Sequence, residues 1–254
     1  MENLSIIICA YNEEDTISGV VSACCRYNPK AEVVVVDDGS TDGTAAALAA
    51  LGRSYRFSYE RLHENRGKSW AMVHGVLHSE RDIVLFFDAD VSRITREHFS
   101  SLVKPLLEGS ADLVLGQPRE TMIDYRVNPF KSLTGERAVF RKDILPIMED
   151  IREIKFGVET FINLYYQAEG KRIQYVLLDG LVHPNTFEKI SMVAATRKYI
   201  SEGQEIALTY MEYHNLIIRR IQNRINQANQ RTREKLNRLQ NNLERKIEEF
   251  LEVF

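Results

Sequence analysis

Three runs of the chain, LSIIICA at residues 4–10, EVVVV at 32–36 and IVLFF at 83–87, are almost continuously apolar, and each runs straight into polar or acidic residues. A strand with one wet face alternates in polarity. A run without polar positions must be covered on both faces, which points to a mostly parallel sheet flanked by helices. The intervening patterns predict helices over 14–26, 44–51, 69–79 and 95–108, and further strands near 57–62 and at ADLVLG. Beyond them, KSLTGERAVFRKDIL reads as a loop and helix, FGVETFINLYYQAEGKRI as a helix and QYVLLDGLVH as a strand. The fold class is α/β, Rossmann-like, and ligands in such folds bind beyond the carboxyl ends of the strands.

Those ends carry the segments AYNEED, DDGSTDGT and DAD. Taken singly they are weak signals, because DDGS is also good turn and helix-cap chemistry. Three together, each at the end of a buried strand, mark one acidic edge. The helix after DAD has its own N-cap in Thr95, with Glu97 and His98 in the first turn, which leaves Asp88 and Asp90 available for other chemistry.

Composition narrows the partners. With 254 residues, 44% of them hydrophobic and 27% charged, the chain suits one large α/β domain with an appendage. A net charge of -3 gives no general attraction to nucleic acid. Three cysteines without a CxxC spacing imply neither a disulfide framework nor a cysteine zinc site. The N-terminus enters a strand without a basic leader, and no apolar run reaches the roughly 18 residues of a membrane span. A cytoplasmic protein is expected, soluble or peripheral at the inner face of the membrane.

Residues 1–190 read as one domain and 191–254 as a helical extension. Along the extension, apolar or small residues recur from Ile217 and Ile221 to Phe250 and Phe254 in steps of 4, 4 and 3. That eleven-residue period, about 3.67 residues per turn, predicts a long helix whose stripe stays nearly straight. Between 219 and 238 seven basic residues accompany one acid, Glu234. The stripe suits packing against its own domain or a second copy in a homodimer, and the basic face suits contact with an anionic membrane surface.

The segments SIIICAYNEEDTI, VVVVDDGSTDGT, NRGKSWAMVHGV, IVLFFDAD, LTGERAVFRKDIL and FGVETFINLYYQAEGKRI together resemble family 2 glycosyltransferases of the GT-A fold, over roughly residues 4–188. The likeness extends to polyprenol-phosphate sugar transferases of the dolichol-phosphate mannose synthase kind, here without transmembrane helices. It implies a nucleotide diphosphate sugar of the GDP-mannose or UDP-glucose type as donor. Ala10, Tyr11, Glu13, Asp38, Lys68, Asp88 and Ala89 would bind it. It implies Mg2+ or Mn2+ on Asp88, Asp90 and, from a histidine that some relatives use at this stage of the chain, His183. A departing pyrophosphate needs its charge neutralised, and carboxylate oxygens suit those hard cations.

The acceptor side departs from the family. Many inverting members carry Glu-Asp, the Asp acting as general base, where this chain has Glu159-Thr160. Threonine cannot take a proton from a hydroxyl, so either Glu159 is the base or the nucleophile needs none. A phosphate-bearing lipid acceptor meets the second condition, with Arg119 and Arg137 as candidates to grip its phosphate. The expectation is an inverting, metal-dependent hexosyltransferase with Asp90 and Glu159 as catalytic residues. FGVET with a later histidine is also similar to soluble, retaining glucosyl-3-phosphoglycerate synthases. A nucleotidyltransferase would need a basic, Gly-rich loop where AYNEED stands. A non-catalytic sugar-nucleotide-binding scaffold is the remaining alternative.

Overall fold

The computed structural model describes residues 2–118, 134–154, 157–182, 208–209, 212–227, 237 and 239–245. Its first half alternates β1 (Leu4–Ala10), α1 (Ile17–Tyr27), β2 (Glu32–Asp37), α2 (Thr44–Leu51), β3 (Ser58–Arg61), α3 (Lys68–Leu77), β4 (Ile83–Phe86) and α4 (Arg96–Leu107). There follow β5 (Leu113–Pro118), β6 (Arg137–Phe140), α5 (Arg141–Ile144), α6 (Met148–Glu153), α7 (Val158–Ala168), β7 (Ile173–Leu178) and α8 (His214–Gln227).

One seven-stranded sheet runs β3-β2-β1-β4-β6-β5-β7. β1 pairs in parallel with β2 and β4, β2 with β3, and β5 with β7. Successive residues of the central strands feed opposite cores. Ile6, Ile8, Val33, Val35 and Leu85 meet α1 and α4 on one face. Ile7, Val34, Val36, Val84 and Phe86 meet α3, α6 and α7 on the other. This two-sided burial is what the unbroken apolar runs encode.

The expectation of a loop leading into a helix at KSLTGERAVFRKDIL is corrected in part. RAVF forms β6, which lies antiparallel between β4 and β5. The insertion brings Gly135 and Arg137 up against the end of β4, beside the acidic edge. A four-residue strand that opens with arginine carries almost no pattern of its own, and its extended state comes from the two neighbours that saturate its backbone.

α4 is capped as the sequence predicts. The Thr95 amide donates to His98 Nδ1 at 3.3 Å. His98 Nε2 reaches the Asp179 carbonyl oxygen at 2.9 Å, tying the start of α4 to the turn after β7. Ser92 and Val182 then exchange backbone hydrogen bonds of 2.8 and 3.2 Å. This bridge holds the chain after β7 two residues beyond Asp90. His183 and Arg119 lie outside the described residues, as does most of 191–254.

α8 packs on α7. The Tyr213 ring, just before α8, tilts onto Phe161 at 4.6 Å between centroids, and Arg219 pairs with Glu169 at 2.9 Å. Asn223 Nδ2 donates to the Ala168 carbonyl. Among the described residues no helix is long and apolar enough to cross a membrane.

Candidate active site

At the carboxyl end of β1 the chain turns through Asn12, whose φ of 56° is in the left-handed region that Asn tolerates. Asn12 Oδ1 then accepts from the Thr41 amide at 2.9 Å, and the Glu13 amide donates to Thr44 Oγ1 at 2.8 Å. These bonds zip the AYNEED turn to the DDGSTDGT turn. The two adjacent aspartates divide the work. Asp37, fully buried, accepts from the Ser40 amide at 2.8 Å and from Tyr59 Oη at 2.9 Å, and so holds its own turn.

Asp38 points the other way. It accepts from the amides of Arg66 and Gly67 at 2.8 and 2.7 Å, fixing the NRGK loop against the end of β2. Burial raises its carboxyl above the ordinary aspartate range, and the two amides partly offset that. Gly39 makes the close approach possible. Its φ is +71°, and a Cβ there would lie 2.6 Å from the Glu64 backbone.

The result is a cleft of about 320 Å³ lined by Cys9, Ala10, Tyr11, Glu13, Asp38, Asn65, Gly67, Lys68, Ala71, Asp88, Ala89 and Asp90. Of the residues the sequence singled out, Ala10, Tyr11, Glu13, Asp38, Lys68, Asp88, Ala89 and Asp90 therefore share one cavity. Tyr11 stands 43% exposed at the cleft, an aromatic ring suited to stacking. Burial raises the Cys9 thiol to about 12, which makes it a wall and not a nucleophile.

A chain of charges crosses the cleft floor. Lys68 Nζ lies 2.9 Å from Asp88 Oδ1 and 2.8 Å from Glu159 Oε1. Desolvation works against the ammonium, but Asp88 and Glu159 more than offset it and hold Lys68 well above its ordinary value. For Glu159, burial alone would raise the carboxyl. Lys68 and then Arg137 overcome that and keep it below the usual range, hence ionised. Thr160 is 2% exposed and its hydroxyl has no hydrogen-bond partner among the described residues, so it takes no part in this chain.

Arg137 is placed differently from the acceptor grip expected of it. The side chain is fully buried beneath Glu159. Nη1 donates to the Glu159 carbonyl at 3.2 Å and Nη2 to that of Thr134. It supports the charged floor from below, and in this position it does not present its guanidinium to a bulky acceptor. Gly135, which sequence reasoning passed over, packs directly on Asp88. A Cβ there would lie 2.0 Å from Oδ2. The signal was the LTGER stretch itself, but nothing local says which side chain that glycine meets.

The donor set fits a hard divalent cation. Asp88, Asp90 and Glu13 all line the cleft, and Glu13 has its carboxyl raised, first by burial and then by the negative charge of Asp90, Asp42 and Asp88. A cleft that gathers three carboxylates, and in which the negative charge of two bears on the third, is suited to a cation with oxygen preference.

Carboxylates and a lysine gathered at the carboxyl edge of a largely parallel sheet define a site for a phosphorylated, cation-bound ligand. The chain belongs to glycosyl transferase family 2, whose family model matches residues 5–169. Its α/β sheet is of the GT-A type. Poly-beta-1,6-N-acetyl-D-glucosamine synthase of Staphylococcus aureus (strain MSSA476) is 34% identical over 92 residues, 35% of this chain and 22% of that protein. The Staphylococcus epidermidis enzyme of the same name is 30% identical over 91 residues, with the same shares. The match thus takes in about a fifth of the length of these curated relatives. Among solved structures, glucosyl-3-phosphoglycerate synthase from Mycobacterium tuberculosis in complex with phosphoglyceric acid superposes with a TM-score of 0.63 at 22% identity, covering 83% of this chain and 79% of that one. The same enzyme with Mn2+, uridine diphosphate and glucosyl-3-phosphoglycerate gives a TM-score of 0.62, again at 22% identity with 83% and 79% covered.

Proposed function

We propose that the chain is a glycosyltransferase that moves a hexose from a nucleotide diphosphate sugar to an acceptor whose attacking oxygen is already ionised, a phosphate on a polyprenol-like lipid. The observation that carries this reading is the state of Glu159. A general base works best with a pKa near the operating pH. Glu159 is instead held below the ordinary glutamate range by Lys68 and Arg137, which makes it a poor proton acceptor. A phosphate oxygen has no proton to remove.

In this scheme Tyr11 stacks on the donor's base, and Ala10, Glu13, Asp38 and Ala89 line the rest of the nucleotide pocket. Asp88 and Asp90, with His183 as a third ligand, would hold Mg2+ or Mn2+, which when bound neutralises the pyrophosphate and eases its departure. Lys68 supplies fixed positive charge to the phosphates and keeps Asp88 oriented. Glu159 orients Lys68 from the acceptor side, with Arg137 as its buried support. Arg119 is the remaining candidate for the acceptor phosphate. The bond from the anomeric carbon to the acceptor phosphate oxygen forms as the bond to the nucleotide breaks, and the electron pair leaves with the nucleoside diphosphate.

A second reading is favoured by the structural neighbours, one of which is seen with Mn2+, uridine diphosphate and glucosyl-3-phosphoglycerate. In it the acceptor is a small phosphorylated molecule, and no membrane contact is needed. Both readings are tested by one assay of UDP-glucose and GDP-mannose with Mn2+, offered either undecaprenyl phosphate in detergent or 3-phosphoglycerate. Transfer to the lipid phosphate, lost in Asp90→Asn and largely kept in Glu159→Gln, supports the first. Transfer to phosphoglycerate alone replaces it with the second, and proton NMR of the product's anomeric centre reports inversion or retention. Turnover abolished by Glu159→Gln in a folded protein makes Glu159 the base and overturns the argument from its charge.

A further inference from the structure

We propose that Glu60, His74 and His78 form a second metal site, for a transition-metal ion of the zinc class, built on the edge of the sheet and separate from the carboxylate cleft. One ligand atom from each of the three residues lies within 4.8 Å of the other two. His74 and His78 are four residues apart on α3 and at its C-cap, so both rings project from one flank of the helix. Their rings stack at 4.1 Å between centroids and 25° between planes.

The third member comes from the sheet. Val36 of β2 is in register with Glu60 of β3, and Val36 belongs to the core on which α3 packs. Paired residues on neighbouring strands project to the same face, so Glu60 points toward α3 while Tyr59 points away to Asp37. Glu60 Oε2 reaches His74 Nε2 at 3.5 Å. Two ligand atoms on one tetrahedral ion lie about 3.3 Å apart, given metal–ligand lengths of about 2.0–2.1 Å. That pair is already near the required separation, and His78, exposed at the C-cap, joins it by swinging its ring out of the stack with His74, so that its in-plane lone pair meets the same ion.

The tautomer is also set. His78 Nδ1 is 2.8 Å from the His74 carbonyl oxygen. A carbonyl only accepts, so in the neutral ring the proton sits on Nδ1 and the lone pair on Nε2 is left for a metal. An outer hydrogen bond of this kind commonly orients ligating histidines. Two imidazoles and one carboxylate suit zinc, with water at the open position, and do not suit Mg2+ or Ca2+, which prefer all-oxygen sets. His74 lies six residues along α3 from Lys68, about 9 Å down the helix axis, so an ion here does not touch the cleft. It would fasten β3, one of the two edge strands of the sheet, to the helix whose first residue is Lys68.

The test uses the full chain stripped with a chelator and titrated with ZnCl2 by calorimetry in excess Mg2+, with CoCl2 as a spectroscopic probe. One equivalent of Zn2+ binds, thermal stability rises with Zn2+, and bound Co2+ shows visible bands of four- or five-fold coordination. His78→Ala, at an exposed position, and Glu60→Gln each weaken Zn2+ binding by more than about tenfold, since even losing a ligand's outer partner costs about 10–100-fold. Asp88→Asn leaves this binding unchanged. Equal binding by the parent and His78→Ala, loss of Zn2+ binding in Asp88→Asn, or no binding below millimolar Zn2+ overturns the proposal.

Discussion

At the scale of single residues, the cleft is organised by one cation shared between two anions. Lys68 is 42% exposed, so its bonds to Asp88 and Glu159 are worth less than a fully buried pair. Glu159→Gln is expected to destabilise the protein by about 1–2 kcal/mol at neutral pH, because Arg137 loses a counter-charge while Lys68 keeps Asp88. The sign with pH follows from the direction of the shift. A carboxyl whose folded value is depressed stabilises above its unfolded value, about 4.3, and that contribution fades as pH falls through the lower folded value. Urea unfolding of parent and variant should therefore differ at pH 7 and converge in acid below about pH 4. A gap that persists in acid would assign the loss to packing. Gly135→Ala is a test of a different kind, since its methyl would sit 2.0 Å from Asp88 Oδ2. Displacing a catalytic group by about 1 Å can cost roughly a hundredfold in rate. Steady-state turnover should drop on that order, and a variant within twofold of the parent would show that Asp88 has room to yield. Asp88, Asp90, Glu13, Asp38, Lys68 and Glu159 were legible in the sequence because each sits at a strand end or helix start, where position alone assigns it to the working edge. Arg137 was named from the sequence but for an acceptor grip, and Gly135 was not named at all, because what they touch is set by β6, which the sequence did not reveal.

At the scale of elements, the strands that could be read are those that carry their own evidence. β1, β2 and β4 are apolar enough along their runs to declare two buried faces. β6 is four residues long, and its lead arginine is buried only because Thr134 and Glu159 supply carbonyl partners from elsewhere in the chain. The cap of α4 belongs to the first kind. His98 does more than the sequence showed, joining the Thr95 amide on one ring nitrogen to the Asp179 carbonyl on the other. His98→Ala leaves both groups without that partner and should cost about 1–3 kcal/mol. For a chain of this size each kcal/mol lowers Tm by about 2–4 °C, which calorimetry resolves easily. His98→Gln, which keeps one of the two bonds, should fall between the variant and the parent. Equal melting of all three would mean that α4 and the turn after β7 are held by Phe99 and Leu102 packing alone.

At the scale of the whole molecule, the question is what the basic C-terminal segment is for. Periodicity gave a long amphipathic helix but could not name its partner, because a stripe reports that a face is covered and not by what. The described part answers for one stretch. Tyr213 and Leu216 join the core beside Phe161, and Arg219 and Asn223 bond to the end of α7. Apolar area spent on α7 is not available to a bilayer. α7 also carries Glu159 in its first turn, so the contact braces the helix that presents this carboxylate to Lys68. Tyr213→Ala removes a ring worth about 1.5–3 kcal/mol of burial when fully covered, less here because the side chain is only half-buried. It should therefore lower Tm and, by loosening α7, reduce turnover several-fold, with binding of the nucleotide sugar little changed. Sedimentation with vesicles containing anionic lipid separates this bracing role from a membrane role. Bracing predicts that the parent and Tyr213→Ala stay with the supernatant alike. Membrane docking predicts that the parent pellets and that charge reversal at Arg231 and Lys235 releases it, in which case the lipid-phosphate acceptor gains over the small one.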